Sequence, residues 1–189
     1  MKLRIFTLIL LVILSSCKEA IKSDVQVFKS TDLNNANTVL LEAVMEDAFT
    51  PPVASRMYVY AHLAHYITLQ SLRSDSLQMI RSKVSGLEDF KLPESQEVNP
   101  ELSALLAFSN TGKKLIYSEY YFEDLADSLK AKAIRLGLSE NVINNSEKYA
   151  SEISKLLSTW IDKDMYIETR TYPRFTSTKN SENWRETPP

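Results

Sequence analysis

His62 and His65 are the only histidines in this 189-residue chain, and they stand three residues apart. On a helix that spacing puts both imidazoles on one face, an arrangement a metal site completes with a third protein ligand. No residue at a recognisable spacing supplies that ligand. Glu42, Glu46 and Asp47 precede the pair and would reach it only through favourable packing. The simpler expectation is two buried histidines bonded to a carbonyl or carboxylate. Arg56 lies in the same apolar stretch and, once buried, needs an anion. Glu46, Asp47 or a carboxylate of another domain would serve. Asp162 and Asp164 read as a solvated helix end, since two carboxylates share acid–base work only inside a pocket. Tyr117, Tyr120, Tyr121 and Phe122 read as packing at a helix junction. Three glycines in the whole chain cannot build a phosphate-cradling loop, and no nucleophile elbow or Cys/His metal pattern occurs. These residues assign no catalytic site and no metal site.

Cys17 is the one cysteine, and its position is informative. Lys2 and Arg4 are followed by an apolar run from Ile5 to Leu14, then Ser15-Ser16-Cys17. A charged start, a short hydrophobic stretch and small residues at a cleavage point make a secretory signal. The run is too short to span a bilayer, which needs about 20 apolar residues. A thiol at the cleavage point resembles the lipobox of bacterial lipoproteins, which implies lipid attachment at Cys17 and a location in the bacterial cell envelope, periplasmic or on the outer-membrane surface. With no second cysteine, no disulfide forms within the chain. The membrane, through that anchor, is therefore one expected partner.

Without residues 1–16 the chain keeps 20 basic against 24 acidic residues. A mildly acidic balance argues against nucleic acid, whose phosphates require clustered Lys and Arg. Scarce glycine and abundant Leu, Ala, Glu, Lys and Ser favour helices over sheets. The expected class is all-α, a bundle-like domain of five or six helices with an extended C-terminal segment. Its organisation is a signal peptide (1–16), a polar tether (17–31), a helical domain (32–164) and an aromatic, proline-bearing segment (165–189).

The elements follow from local signals. A first helix starts near Asp32 or Asn37 and runs to about Ala48. Thr50-Pro51-Pro52 stops it and starts the next, because proline in a first turn forfeits no hydrogen bond. Between Pro51 and Leu72 the only formal charge is Arg56, so this second helix is expected to be the buried centre, carrying Arg56, His62 and His65 as structural residues. Residues 75–85 read as a short amphipathic helix, and Leu87–Val98 as a loop. Asn99-Pro100-Glu101 is a cap, a proline and an acid at a helix start running to about Tyr117. A further helix covers Glu119–Leu136, stopped by Gly137-Leu138. The last is capped by Ser139, with Ala150, Ile153, Leu156, Leu157 and Trp160 on its apolar face. After Asp164 no helical period remains, although Tyr166, Tyr172, Phe175 and Trp184 alternate with Arg170, Arg174 and Arg185. Disordered segments are usually poor in aromatics, so this stretch is expected to lie along an apolar surface.

Two segments are more specific than composition. One is Phe49-Thr50-Pro51-Pro52-Val53-Ala54-Ser55-Arg56-Met57-Tyr58-Val59-Tyr60-Ala61-His62-Leu63-Ala64-His65-Tyr66. The other is Thr169-Arg170-Thr171-Tyr172-Pro173-Arg174-Phe175, continuing to Trp184-Arg185-Glu186-Thr187-Pro188-Pro189. Together they resemble the amino-terminal half of bacterial vanadium-dependent haloperoxidase-related proteins, in the type 2 phosphatidic acid phosphatase superfamily. The resemblance implies haloperoxidase or phosphatase chemistry at a vanadate or phosphate site. It places the catalytic groups in three motifs: a lysine followed at a distance by Arg-Pro, a Pro-Ser-Gly-His, and a Ser-Arg followed by a histidine. There is no Ser-Gly-His here, and neither His62 nor His65 has an Arg-Pro or glycine neighbour. The chain is therefore expected to assemble none of the three and to hold no cofactor of its own. It would be the non-catalytic half, inactive alone, with the missing half or another protein as partner. The competing reading is a helical binding or structural lipoprotein of the envelope with no enzymatic role.

Overall fold

A computed structural model describes residues 28–73, 83–87, 90–94, 97–174, 176, 180 and 182–183. Cys17, Phe175, Trp184 and Arg185 lie outside the described residues, so the lipid attachment and the end of the aromatic segment do too. Six helices are present among the described residues: α1 (Ser30–Glu46), α2 (Pro51–Arg73), α3 (Pro100–Lys113), α4 (Tyr120–Arg135), α5 (Glu140–Ile161) and α6 (Tyr166–Arg170). No strand occurs among them, and the all-α expectation holds.

The helix boundaries show why local signals were readable. Asn99 Oδ1 accepts from the Leu102 N–H at 2.9 Å, with Pro100 in the first turn. Ser139 Oγ accepts from Val142 N–H at the start of α5. At the end of α4, Gly137 has φ +81°. Its N–H reaches the Ile134 carbonyl while Leu138 N–H reaches Ala133, the paired bonds of a Schellman stop. Other boundaries move. Helix α1 begins earlier, at Ser30, and Phe28 before it is buried, so the polar tether does not extend to residue 31. Helix α3 stops at Lys113 rather than about Tyr117. Residues 83–86 form turns and a bend rather than the end of an amphipathic helix; residues 75–82 lie outside the described residues. The segment after Asp164 is not wholly extended, because α6 occupies five residues of it.

The centre of the fold is α3, not α2. Ten of the fourteen α3 residues are buried, and α1, α2, α4 and α5 all pack on it as a closed ring. Helix α2 buries one broad face (Val53, Met57, Tyr60, Ala64, Ile67) while Val59 and Tyr66 face solvent; Arg56, His62 and His65 are half-buried. The expectation failed because α2 lacks charge but not polarity. Helix α3 hides its burial behind Ser103, Ser109 and Thr111, each satisfied internally: Ser103 Oγ donates to the Asn99 carbonyl, Ser109 Oγ to that of Phe122, Thr111 Oγ1 to Ser154 Oγ. A buried hydroxyl with a partner costs little. Gly112 lets the Phe122 ring lie directly on the α3 backbone, where a Cβ would collide with the ring. Phe122, Phe108, Leu102 and Leu106 are almost wholly buried, and each stabilises the fold by about 1.5–3 kcal/mol.

Candidate functional site

Two regions at opposite ends of α2 gather the polar groups. At the N-terminal end, Arg56 Nε donates to Asp164 Oδ2 at 2.5 Å, and Tyr60 OH donates to the same oxygen at 2.8 Å. Asp164 Oδ1 accepts from the Tyr166 N–H at 2.9 Å, which fixes the turn into α6. That turn passes through Met165 in the left-handed region, φ 63°. The Arg56 guanidinium also lies over the Tyr166 ring (4.3 Å) and near that of Tyr60 (5.1 Å), while Trp160 meets Tyr60 edge-on. Burial by itself would raise the Asp164 carboxyl, but donation from Arg56, the Tyr166 N–H and Tyr60 holds it below its ordinary range. Burial, then the Asp164 hydrogen bond and charge, pushes the Tyr60 hydroxyl up to about 12.

Asp164 is thus the partner Arg56 requires, in place of Glu46 or Asp47, and it is not a merely solvated helix end. Asp47 instead accepts from the N–H groups of Tyr117 and Ser118 (2.7 and 3.2 Å) and from the Ser118 hydroxyl, holding the connection into α4. Glu42 and Glu46 are exposed and raise the Tyr121 hydroxyl through their charge, after its bond to Tyr120 and its desolvation. The aromatic cluster divides: Phe122 is core, Tyr117 is 81% exposed and stacks on Phe49 at 5.3 Å, and Tyr120 stacks on Tyr121 at 4.6 Å. Beside Arg56 opens a cleft of about 490 Å³ walled by Met57, Ile161 and Tyr166 and bordered by Lys114, whose Nζ donates to Ser158 Oγ at 2.8 Å.

Farther along α2, His62 Nε2 and Asn37 Oδ1 of α1 are 3.0 Å apart, and the ring sits edge-on to Phe108. Burial lowers its basicity. His65, one turn on, is pushed down to about 4 by burial and by the charges of His62 and Arg73. Among the described residues the two histidines share no hydrogen-bond partner and pair with no carboxylate, and no group of three or more His, Cys, Asp or Glu fit for a metal occurs.

One pattern passed over in the sequence is present: Ser55-Arg56 with a histidine six residues on, His62. Six residues turn an α-helix by about 240°, so Arg56 and His62 face different ways. Ser55 Oγ is spent on the Pro52 carbonyl. The pattern assembles nothing. Vanadate or phosphate needs cations and donors aimed at one point. Arg56 is committed to Asp164 and two rings, Lys114 to Ser158, and His65 sits at the other end of the helix. The described residues do not fit such a group.

The architecture is that of a haloperoxidase-like fold. The chain is similar to a bacterial vanadium-dependent iodoperoxidase of known crystal structure, at 30% identity and a TM-score of 0.69. The similarity covers 84% of this chain and 38% of that one, so the chain spans well under half of its neighbour's length. No family model and no curated protein matches it. No helix among the described residues is long and apolar enough to cross a membrane.

Proposed function

We propose that this chain is the helical scaffold of a haloperoxidase-like enzyme of the bacterial envelope, carrying the amino-terminal, non-catalytic part of that fold. The observation that carries the reading is the likeness to the iodoperoxidase over most of this chain and a minor part of the other. Haloperoxidase or phosphatase chemistry then belongs to groups outside residues 28–174. The scaffold's contribution is to position, through the Arg56–Asp164 junction, the segment that leaves α5. Cys17, at the end of its short apolar run, anchors the chain to the membrane by lipid.

The test is turnover by the purified chain, assayed with bromide or iodide plus peroxide and vanadate, and with a generic phosphate monoester. The reading expects background rates in both. Turnover above background that disappears in His62→Ala would overturn it. For the anchor, Cys17→Ser should leave the precursor uncleaved and unlipidated in cells; mass spectrometry finding an unmodified Met1 start on the membrane-bound native protein would refute that part alone.

A further inference from the structure

The second region, around His65, is a pocket of about 250 Å³ between α1, α2 and α3. Its apolar walls are Phe28, Leu33, Leu69 and Leu105, of which Phe28 and Leu105 are buried. His65 lines it and has no hydrogen-bond partner among the described residues, unlike His62 one turn earlier. A half-buried imidazole without a protein partner keeps hydrogen-bonding capacity to spare, and the pocket around it offers a place to use it.

Charges at the mouth define what would fit. Arg73 is paired with Glu101 across the opening. Asp32 is taken by Lys132 and by the Lys29 N–H. The exposed Lys29 ammonium, with no ion-pair partner among the described residues, stands at the rim of an apolar hollow. An apolar cavity of about 150 Å³ accommodates benzene, so this one admits a body of roughly six to eight carbons.

We propose that this pocket binds a small monocarboxylate with an apolar body. The carboxylate takes the His65 N–H and the Lys29 ammonium, and the carbon chain lies against Phe28, Leu69 and Leu105. The inference does not depend on the scaffold reading, because none of these residues belongs to the Arg56–Asp164 junction or its cleft.

Methyl-labelled NMR of the full chain titrated with hexanoate tests it, with hexanol and acetate as controls for charge and body. Hexanoate should move the Leu69 and Leu105 methyls saturably, with a Kd near the millimolar range usual for so few heavy atoms, about 1 mM. Hexanol and acetate should bind at least tenfold more weakly. Lys29→Ala, at an exposed position that leaves the fold intact, should weaken hexanoate about fivefold. Absence of saturable shifts at Leu69 and Leu105, hexanol binding as well as hexanoate, or unchanged affinity in Lys29→Ala would each overturn the proposal.

Discussion

At the N-terminal end of α2 a guanidinium meets its carboxylate across 108 residues of sequence, with two tyrosines closing round the pair. Nine residues further along the same helix, His65 meets no hydrogen-bonding partner among the described residues, and burial in an apolar hollow keeps it neutral down to about pH 4. One helix therefore handles half-buried polarity in two ways. Where a permanent charge cannot be shed, the fold brings a counter-charge; where a group can release its proton, the fold makes it do so. The first end fixes the path of the chain beyond α5. The second leaves unsatisfied capacity, which is what a ligand can use.

Both ends rest on α3, and the widest break comes from there. Phe122→Ala removes the ring that covers Gly112 and packs near Phe108. It should cost about 3–5 kcal/mol, read as a fall in the urea midpoint. A loss below about 1 kcal/mol would mean that α3 is not the hub and that the two ends of α2 are held independently.

Acid separates the two ends by range. His65 titrates near 6.5 when unfolded and about 4 in the fold, so the unfolded chain binds the proton more readily between those values. Stability is full above pH 6.5 and is lost as pH falls towards 4, by about 3 kcal/mol. His65→Gln should flatten that slope, and a slope unchanged in the variant would place its source elsewhere. Asp164 works lower. Its carboxyl lies below the ordinary 3.8 in the fold, so its contribution is present above that pH and disappears only as pH falls further.

The smallest effect sharpens the junction itself. With side chains about one-fifth exposed, the Arg56–Asp164 pair should show a coupling of about 1 kcal/mol in a double-mutant cycle of Arg56→Met and Asp164→Asn, reduced by salt. Zero coupling would reduce the pair to a surface contact.

The sequence was legible where a signal and its consequence are neighbours. Asn99 before Pro100, Ser139, and Gly137 before Leu138 each act on residues within one turn, and each helix boundary they mark is present. It was illegible where the partner is remote. Nothing near Asp164 announces Arg56, and the chain offers Asp47 and Glu46 much closer. Nor does periodicity reveal a hub whose buried face includes three hydroxyls bonded back into the fold. Helix α6 is too short, at five residues, to show any period. The candidate site suffered most: Arg56, His62 and His65 were legible as unusual, but their separation to two ends and two fates depends on packing around α3.

Vanadate titration of the purified chain, followed by vanadium NMR, addresses the central claim most directly. A scaffold whose only arginine in α2 before Arg73 is committed to Asp164, and whose histidines face away from it, should leave the free-vanadate signal unchanged in width and intensity. Saturable loss of that signal, reversed by Arg56→Met or His62→Ala, would contradict the account and place oxyanion binding within α2.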